Sequence, residues 1–173
     1  MNNYFKSICE KLIHRHPHVY GDLKVSNEAE VKENWEQLKL KEGKASVLEG
    51  VPRSLPALVK ASRIQEKVAG VGFDWENSNQ VWEKVQEELE EFKIELDASN
   101  KVSMEKEFGD VLFSLINYAR SIGINPENAL ELTNKKFIRR FQFLEDKAKE
   151  MKRSLNDMTL NEMDVFWEEA KGI

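Results

Sequence analysis

Two acidic stretches carry the residues of this chain best suited to act together chemically. Glu87, Glu88, Glu90, Glu91 and Glu95 fall in one segment, and Glu105, Glu107 and Asp110 in the next. Glu88 with Glu91, and Glu107 with Asp110, have i,i+3 spacing, which on a helix puts both carboxylates of a pair on one face. Each pair borders an apolar stripe: Val81, Val85, Leu89, Phe92 and Leu96 in the first segment, and Phe108, Val111, Leu112, Leu115, Ala119 and Ile122 in the second. Antiparallel packing would let the two pairs face each other. Gly109, between Glu107 and Asp110, is costly inside a helix, which points to a close helix approach or a functional reason. Four converging carboxylates cannot all stay ionised in a confined space without compensation. A divalent cation supplies it, and a ligand set made only of oxygens favours Mg2+ or Mn2+ over zinc. Magnesium keeps waters and binds phosphates, so the chemistry implied is that of phosphate esters or phosphoanhydrides. A ferritin-like di-iron centre would need Glu-x-x-His pairs, whereas the three histidines, His14, His16 and His18, all lie near the N-terminus. The bland alternative is a solvated glutamate face, the usual fate of a run such as EELEEF in a lysine-rich helix.

These residues need helices to position them, and the sequence supplies helices throughout. Residues 4–16 read as a short helix, broken by Pro17 and Gly21. Residues 27–42 read as a charged helix with few apolar anchors, suited to a connector, and a loop follows over 43–52. Residues 55–69 form the next helix, ended by Gly70 and Gly72. Residues 80–97 follow, with Ser78 or Asn79 as cap, and then 104–122 after Ser103, stopped by Gly123. Asn125 with Pro126 opens a long helix to about Arg153, and Thr159 with Glu162 has the capping-box spacing of a last helix through Ala170. No strand is evident, so the expected fold is all-α, an antiparallel helical bundle with short connections.

Composition narrows the class. The chain has 173 residues, 31 acidic and 26 basic, for a net charge of −5. That length suits one domain and part of another. The acidity argues against a general nucleic-acid binder, for which a basic surface is expected. The most apolar stretch, residues 111–116, is far shorter than the ~20 residues a membrane span requires, so no membrane association is expected. The N-terminus lacks the apolar run of a signal peptide. Cys9 is the one cysteine, which excludes an internal disulfide and fits a reducing, cytoplasmic setting; it reads as a buried packing residue.

Taken in order, the segments VPRSLPALVKASRIQEKVAGVGFDW, KVQEELEEF, EFGDVLFSLINYAR, NKKFIRRF and EMDVFWEEAK resemble the MazG family of nucleoside triphosphate pyrophosphohydrolases. The Glu-x-x-Glu and Glu-x-x-Asp signature stands as Glu88, Glu91, Glu107 and Asp110, with fifteen residues between Glu91 and Glu107. The resemblance implies an all-α, usually dimeric enzyme that uses magnesium to split an NTP into NMP and pyrophosphate. It implies that those four carboxylates hold the metal, with Glu87 as a further acid near the water or metal and a candidate general base. Glu88 also counts among the candidate catalytic acids. A cation bound there would neutralise phosphate oxygens and acidify the attacking water.

A substrate this anionic also calls for cations. Lys136 and Arg140, spaced i,i+4, match nucleotide-binding positions, and arginine can grip phosphate bidentately. Trp167 matches a nucleotide contact on base or ribose, with Lys171 near phosphate; by composition alone Trp167 would be a core anchor. Lys84 matches another contact, though a helix-stabilising pair with Glu88 explains it equally well. Lys106 is a weaker candidate of the same kind.

A short echo between residues 11–22 and 136–147, together with the tandem domains of many members, gives the expected organisation: residues 1–25 from the end of a preceding MazG-like domain, 26–52 a charged helical linker, and 53–173 the catalytic domain. Two readings stay open beside the general enzyme. One is a non-catalytic helical dimerisation or regulatory module; the other is a relative restricted to one nucleotide, such as a dCTP or dUTP hydrolase.

Overall fold

The computed structural model describes residues 2–23, 31, 38 and 46–172. Apart from residues 31 and 38, the linker helix expected over 27–42 lies outside the described residues. The helices are α1 (Asn2–Arg15), α2 (Pro17–Tyr20), α3 (Ala57–Ala69), α4 (Ser78–Asp97), α5 (Lys101–Ser121), α6 (Pro126–Glu150) and α7 (Leu160–Glu169), with short 3-10 turns at Val47–Gly50, Leu155–Asp157 and Ala170–Gly172. No strand occurs among the described residues, and the fold is all-α as expected. The chain divides into two compact units, Met1–Ile124 and Asn125–Ile173.

In the first unit α4 and α5 form the dominant packing pair, and α3 lies against α5. Ring pairs Trp82–Tyr118 and Phe92–Phe108, with centroids 4.9 and 5.5 Å apart, advance along α4 while retreating along α5, so the two helices are antiparallel. The reversal between them is tight. Ser99 takes a left-handed φ of 54°, and its amide and that of Asn100 donate to the carbonyls of Leu96 and Glu95, which satisfies carbonyls orphaned at the end of α4. Gly123, φ 74°, closes α5 in the same way, with the Ile124 amide on the Ala119 carbonyl at 2.8 Å.

The helix starts differ a little from the sequence expectation. α4 is capped by Asn77, whose side chain accepts from Asn79 and Gln80, and α5 begins three residues early under Asn100, which accepts from the Ser103 amide. In each case an asparagine one to three residues ahead of a serine takes the cap position, a role for which the two residue types are equally suited. The segment after Pro17 forms one further turn, α2, rather than a plain break.

The buried faces also differ from the expected stripes. α4 buries Val81, Val85 and Glu88, and α5 buries Val111, Ser114 and Ile116, whereas Leu89, Leu96, Phe108, Leu112, Leu115 and Ile122 stay exposed. Packing of α4, α5 and α3 on one another covers only a narrow face of each, and the covered face of α4 carries Glu88 inward. Each fully buried valine contributes about 1.5–3 kcal/mol. Two more expectations fail. Cys9 is exposed, because α1 presents Phe5, Ile8, Leu12 and Ile13 uncovered as well. Gly109 marks no close approach within the described chain, since a Cβ there would meet nothing within 4 Å.

In the second unit α7 folds back along α6. Phe137 meets Trp167, and nearer the turn Arg153 pairs with Glu162 at 2.6 Å. Leu144, Ala148, Met158 and Ala170 form its buried centre. The capping box predicted at Thr159 and Glu162 is present, and α6 starts at Pro126 under Asn125 as expected, though it ends at Glu150, three residues short of the expected end.

Candidate active site

Glu88 lies on the buried face of α4 because it falls seven residues after Val81 and three after Val85, on one helical stripe. Glu107 and Asp110 sit one turn apart on α5. The antiparallel hairpin brings one carboxylate oxygen of each of these three residues within 4.8 Å of the others. Glu88 is buried, Glu107 half-buried and Asp110 exposed. Burial, reinforced by the charges of Glu91, Asp110, Glu88 and Glu95, pushes the Glu107 carboxyl above its usual range. Like charges held together oppose the ionisation of Glu107, a demand for positive charge that, within the cluster, Lys84 meets only at Glu88. Its hard oxygen donors fit Mg2+ or Mn2+.

Glu91 is exposed and lies outside the tight group, although its charge acts on Glu107. Lys84, one turn before Glu88, reaches two acids at once: its Nζ lies 2.7 Å from Glu87 Oε1 and 2.8 Å from Glu88 Oε1. Those hydrogen bonds hold its ammonium well above the usual lysine range. The helix-stabilising pair is therefore formed, and Glu87, otherwise exposed, is engaged by the same lysine. Lys106 is exposed.

The remaining expected nucleotide contacts belong to the second unit. The Arg140 guanidinium lies 5.9 Å from the centroid of the Trp167 ring, and Phe137 packs on the same ring at 5.0 Å. This cluster gives Trp167 a half-buried platform. Arg140 Nε is buried without a hydrogen-bond partner. Lys136 is exposed, and Lys171 pairs with Glu168.

A cavity of about 520 Å³ opens beside the acidic cluster. Glu88, Asp110 and Lys84 line part of it, and Ile64, Val68, Phe73, Trp75, Val81 and Phe113 supply apolar walls. Size and lining suit a small-molecule site. Five of its polar residues, Gln65, Asp74, Ser114, Asn117 and Arg120, are not among the site residues expected from the sequence. Asp74, in the loop before α4, takes a bidentate ion pair from Arg120 at 2.5 and 2.8 Å. Arg120 is further oriented by Asn117, whose Oδ1 accepts from Nε at 3.1 Å and from Nη2 at 2.8 Å. Gln65 donates from Nε2 to the Phe113 carbonyl at 2.8 Å. The one available signal was Gln65 itself, a polar residue among Ala61, Ile64 and Val68 on the inward face of α3.

A helical hairpin with converging carboxylates beside an apolar cavity defines a class: an all-α protein with a cation-accepting acidic cluster next to a small-molecule pocket. Comparison with known proteins narrows it. The MazG nucleotide pyrophosphohydrolase domain matches residues 76–143. A nucleoside triphosphate pyrophosphohydrolase of Escherichia coli strain K12 is 38% identical over 176 residues, covering 98% of this chain and 67% of that protein. The nucleoside triphosphate pyrophosphohydrolase/pyrophosphatase MazG of Thermotoga maritima is 37% identical over 175 residues, covering 99% of this chain and 66% of that protein. YabN of Bacillus subtilis, an uncharacterised protein, is 48% identical over 175 residues, which is 36% of its length. The chain belongs to the MazG family. Its matched domain is that of a nucleotide pyrophosphohydrolase, a hydrolase acting on acid anhydrides, and the chain spans about two thirds of the length of the first two relatives.

Proposed function

We propose that this chain hydrolyses nucleoside triphosphates, ribo- or deoxyribo-, to the monophosphate and pyrophosphate, in nucleotide-pool sanitation. The observation that carries this reading is the convergence of Glu88, Glu107 and Asp110 beside a cavity with apolar walls. Glu88, Glu91, Glu107 and Asp110 hold Mg2+, or Mn2+ in its place. Glu91 joins the set on the strength of the family signature and of its charge acting on Glu107. A cation held by these carboxylates would neutralise phosphate oxygens and lower the pKa of the attacking water. Glu88, the buried member, fixes the geometry. Glu87 accepts the water's proton, with Lys84 holding its carboxylate in place. Near the cluster, Lys84 and Lys106 add positive charge; in the second unit, the family resemblance assigns Lys136, Arg140 and Lys171 to phosphate and Trp167 to base or ribose.

The resemblance further supports a homodimer working in the cytoplasm, with residues 1–25 related to the end of a preceding MazG-like domain, 26–52 a linker and 53–173 the catalytic domain. The deciding experiment is a panel of NTPs and dNTPs with Mg2+, separating pyrophosphate from orthophosphate. Pyrophosphate and NMP in equal amounts are expected. Orthophosphate as primary product, without added pyrophosphatase, would overturn the reading.

A further inference from the structure

Gln65 is 3% exposed and lines the cavity beside the acidic cluster. Its Nε2 donates to the Phe113 carbonyl at 2.8 Å. A carbonyl can only accept, so this bond fixes which way the amide faces. The other end of the amide, Oε1, is buried and accepts no hydrogen bond from the described residues. A buried acceptor without a partner is uncommon and costly. A side chain needed only to tie α3 to α5 would have no use for that second atom. The other polar residues of the apolar wall are committed: Asp74 to Arg120, and the Asn117 carbonyl oxygen to Arg120. Ser114 donates to the Val111 carbonyl at 2.9 Å.

Building on the pyrophosphohydrolase reading, we propose that the nucleobase of the substrate enters this cavity and that Gln65 is a specificity residue, its Oε1 accepting a hydrogen bond from an N–H on the base edge. With the phosphates at Glu88 and Asp110, the uncharged part of the nucleotide meets the apolar walls formed by Ile64, Val68, Phe73 and Phe113. An acceptor oriented from its far side by a main-chain carbonyl then selects bases that offer a donor. A base lacking the donor leaves Oε1 buried and unsatisfied, which costs binding.

The test uses two substrate pairs that differ by one amino group: dATP against its purine analogue without the 6-amino group, and dCTP against its 2-pyrimidinone analogue without the 4-amino group. Pyrophosphate release with Mg2+ is followed in the wild-type chain and in Gln65→Met, which keeps side-chain length and removes the acceptor. In the wild type, kcat/KM is expected to fall about tenfold in at least one pair when the amino group is absent. In Gln65→Met that ratio is expected to collapse toward one. A purely structural Gln65 would slow both members of a pair equally and leave the ratio unchanged, which would overturn the proposal. Equal rates within both wild-type pairs would overturn it without any variant, so a misfolded Gln65→Met does not rescue it. Discrimination that survives in Gln65→Met but vanishes in Trp167→Ala would move the base to Trp167 instead. No pyrophosphate from any nucleotide would refute the underlying pyrophosphohydrolase reading, and this inference with it.

Discussion

Glu107 is the residue at which function and stability pull in opposite directions. Its carboxyl is pushed up from the ordinary 4.5 by burial and by four neighbouring acids. The folded state therefore binds its proton more tightly than the unfolded state does. Linkage then makes folding stability fall as pH rises from about 4.5 through the raised folded value, and at neutral pH the ionised Glu107 is a destabilising group. Glu107→Gln is expected to raise the melting temperature at pH 7 without divalent cations. The same variant should lose on the order of 100-fold or more in kcat/KM, since a metal's charge stabilisation is worth several kcal/mol. It should also lose the Mg2+-dependent rise in melting temperature that binding to the native state produces. Thermal melts with and without Mg2+, beside a pyrophosphate assay, check all three. A variant that is fully active, or less stable without metal, would remove Glu107 from the assigned role. Of the two acidic pairs read from i,i+3 spacing, Glu107 and Asp110 converge with Glu88, while Glu91 lies outside the group. The polar wall of the cavity was not legible in the sequence. Gln65 meets Phe113 across 48 residues and Asp74 meets Arg120 across 46, and nothing in the local pattern announces either partnership.

At the scale of elements, the caps and reversals were read with small errors, and the errors have a common cause. Where asparagine and serine stand near each other ahead of a helix, both can cap, and only the geometry of the preceding turn chooses. Asn100 is chosen because Ser99 has already turned left-handed. That turn costs a residue with a Cβ roughly 1–2 kcal/mol, part of which glycine gives back in unfolded-state entropy. Ser99→Gly is thus expected to stabilise the hairpin by about 0.5–1 kcal/mol, read as a higher urea midpoint with an unchanged slope. An unchanged or lower midpoint would mean that the strain is already relieved.

The capping box of α7 gives a pH-dependent counterpart. Hydrogen bonds from Arg153 and from the Thr159 backbone and hydroxyl lower the Glu162 carboxyl from 4.5 to about 2. Here the unfolded state binds the proton more tightly. The contribution is complete above 4.5 and is lost as pH falls toward 2. Glu162→Gln keeps an acceptor for the capping box and removes the charge facing Arg153. The stability gap between wild type and variant should be present at pH 7 and shrink steadily below pH 4.5. A gap that stays constant down to pH 2 would contradict the assignment.

At the scale of the whole molecule, what the sequence promised as core and what the single chain buries do not coincide. The stripes of α4 and α5 are apolar as read, but two of five residues in the first and four of six in the second remain exposed, among them Phe108 at 50%, Leu112 at 47%, Leu89 at 44% and Leu115 at 41%. A sequence shows that a helix has a face to bury and does not show whether the cover comes from the same chain. Scattered exposed leucines are ordinary, but several on one helix hairpin make a patch of the kind that marks association. Together with the family's usual state, this leads us to expect a homodimer of about 40 kDa, twice the 20.1 kDa of the chain, across an interface that includes this hairpin. Sedimentation equilibrium of the intact chain checks the mass. Leu112→Glu with Leu115→Glu places charge on the exposed side of α5 without touching Val111 or Ser114, which are buried within the chain. The double variant should keep its helical circular dichroism and shift toward 20 kDa. Because the hairpin also carries Glu88, Glu107 and Asp110, turnover is expected to fall in parallel with dimer content as protein is diluted. A wild-type chain that stays monomeric at micromolar concentration while turning over NTPs would overturn both the dimer and that dependence. A double variant that stays fully dimeric would instead move the interface off this face.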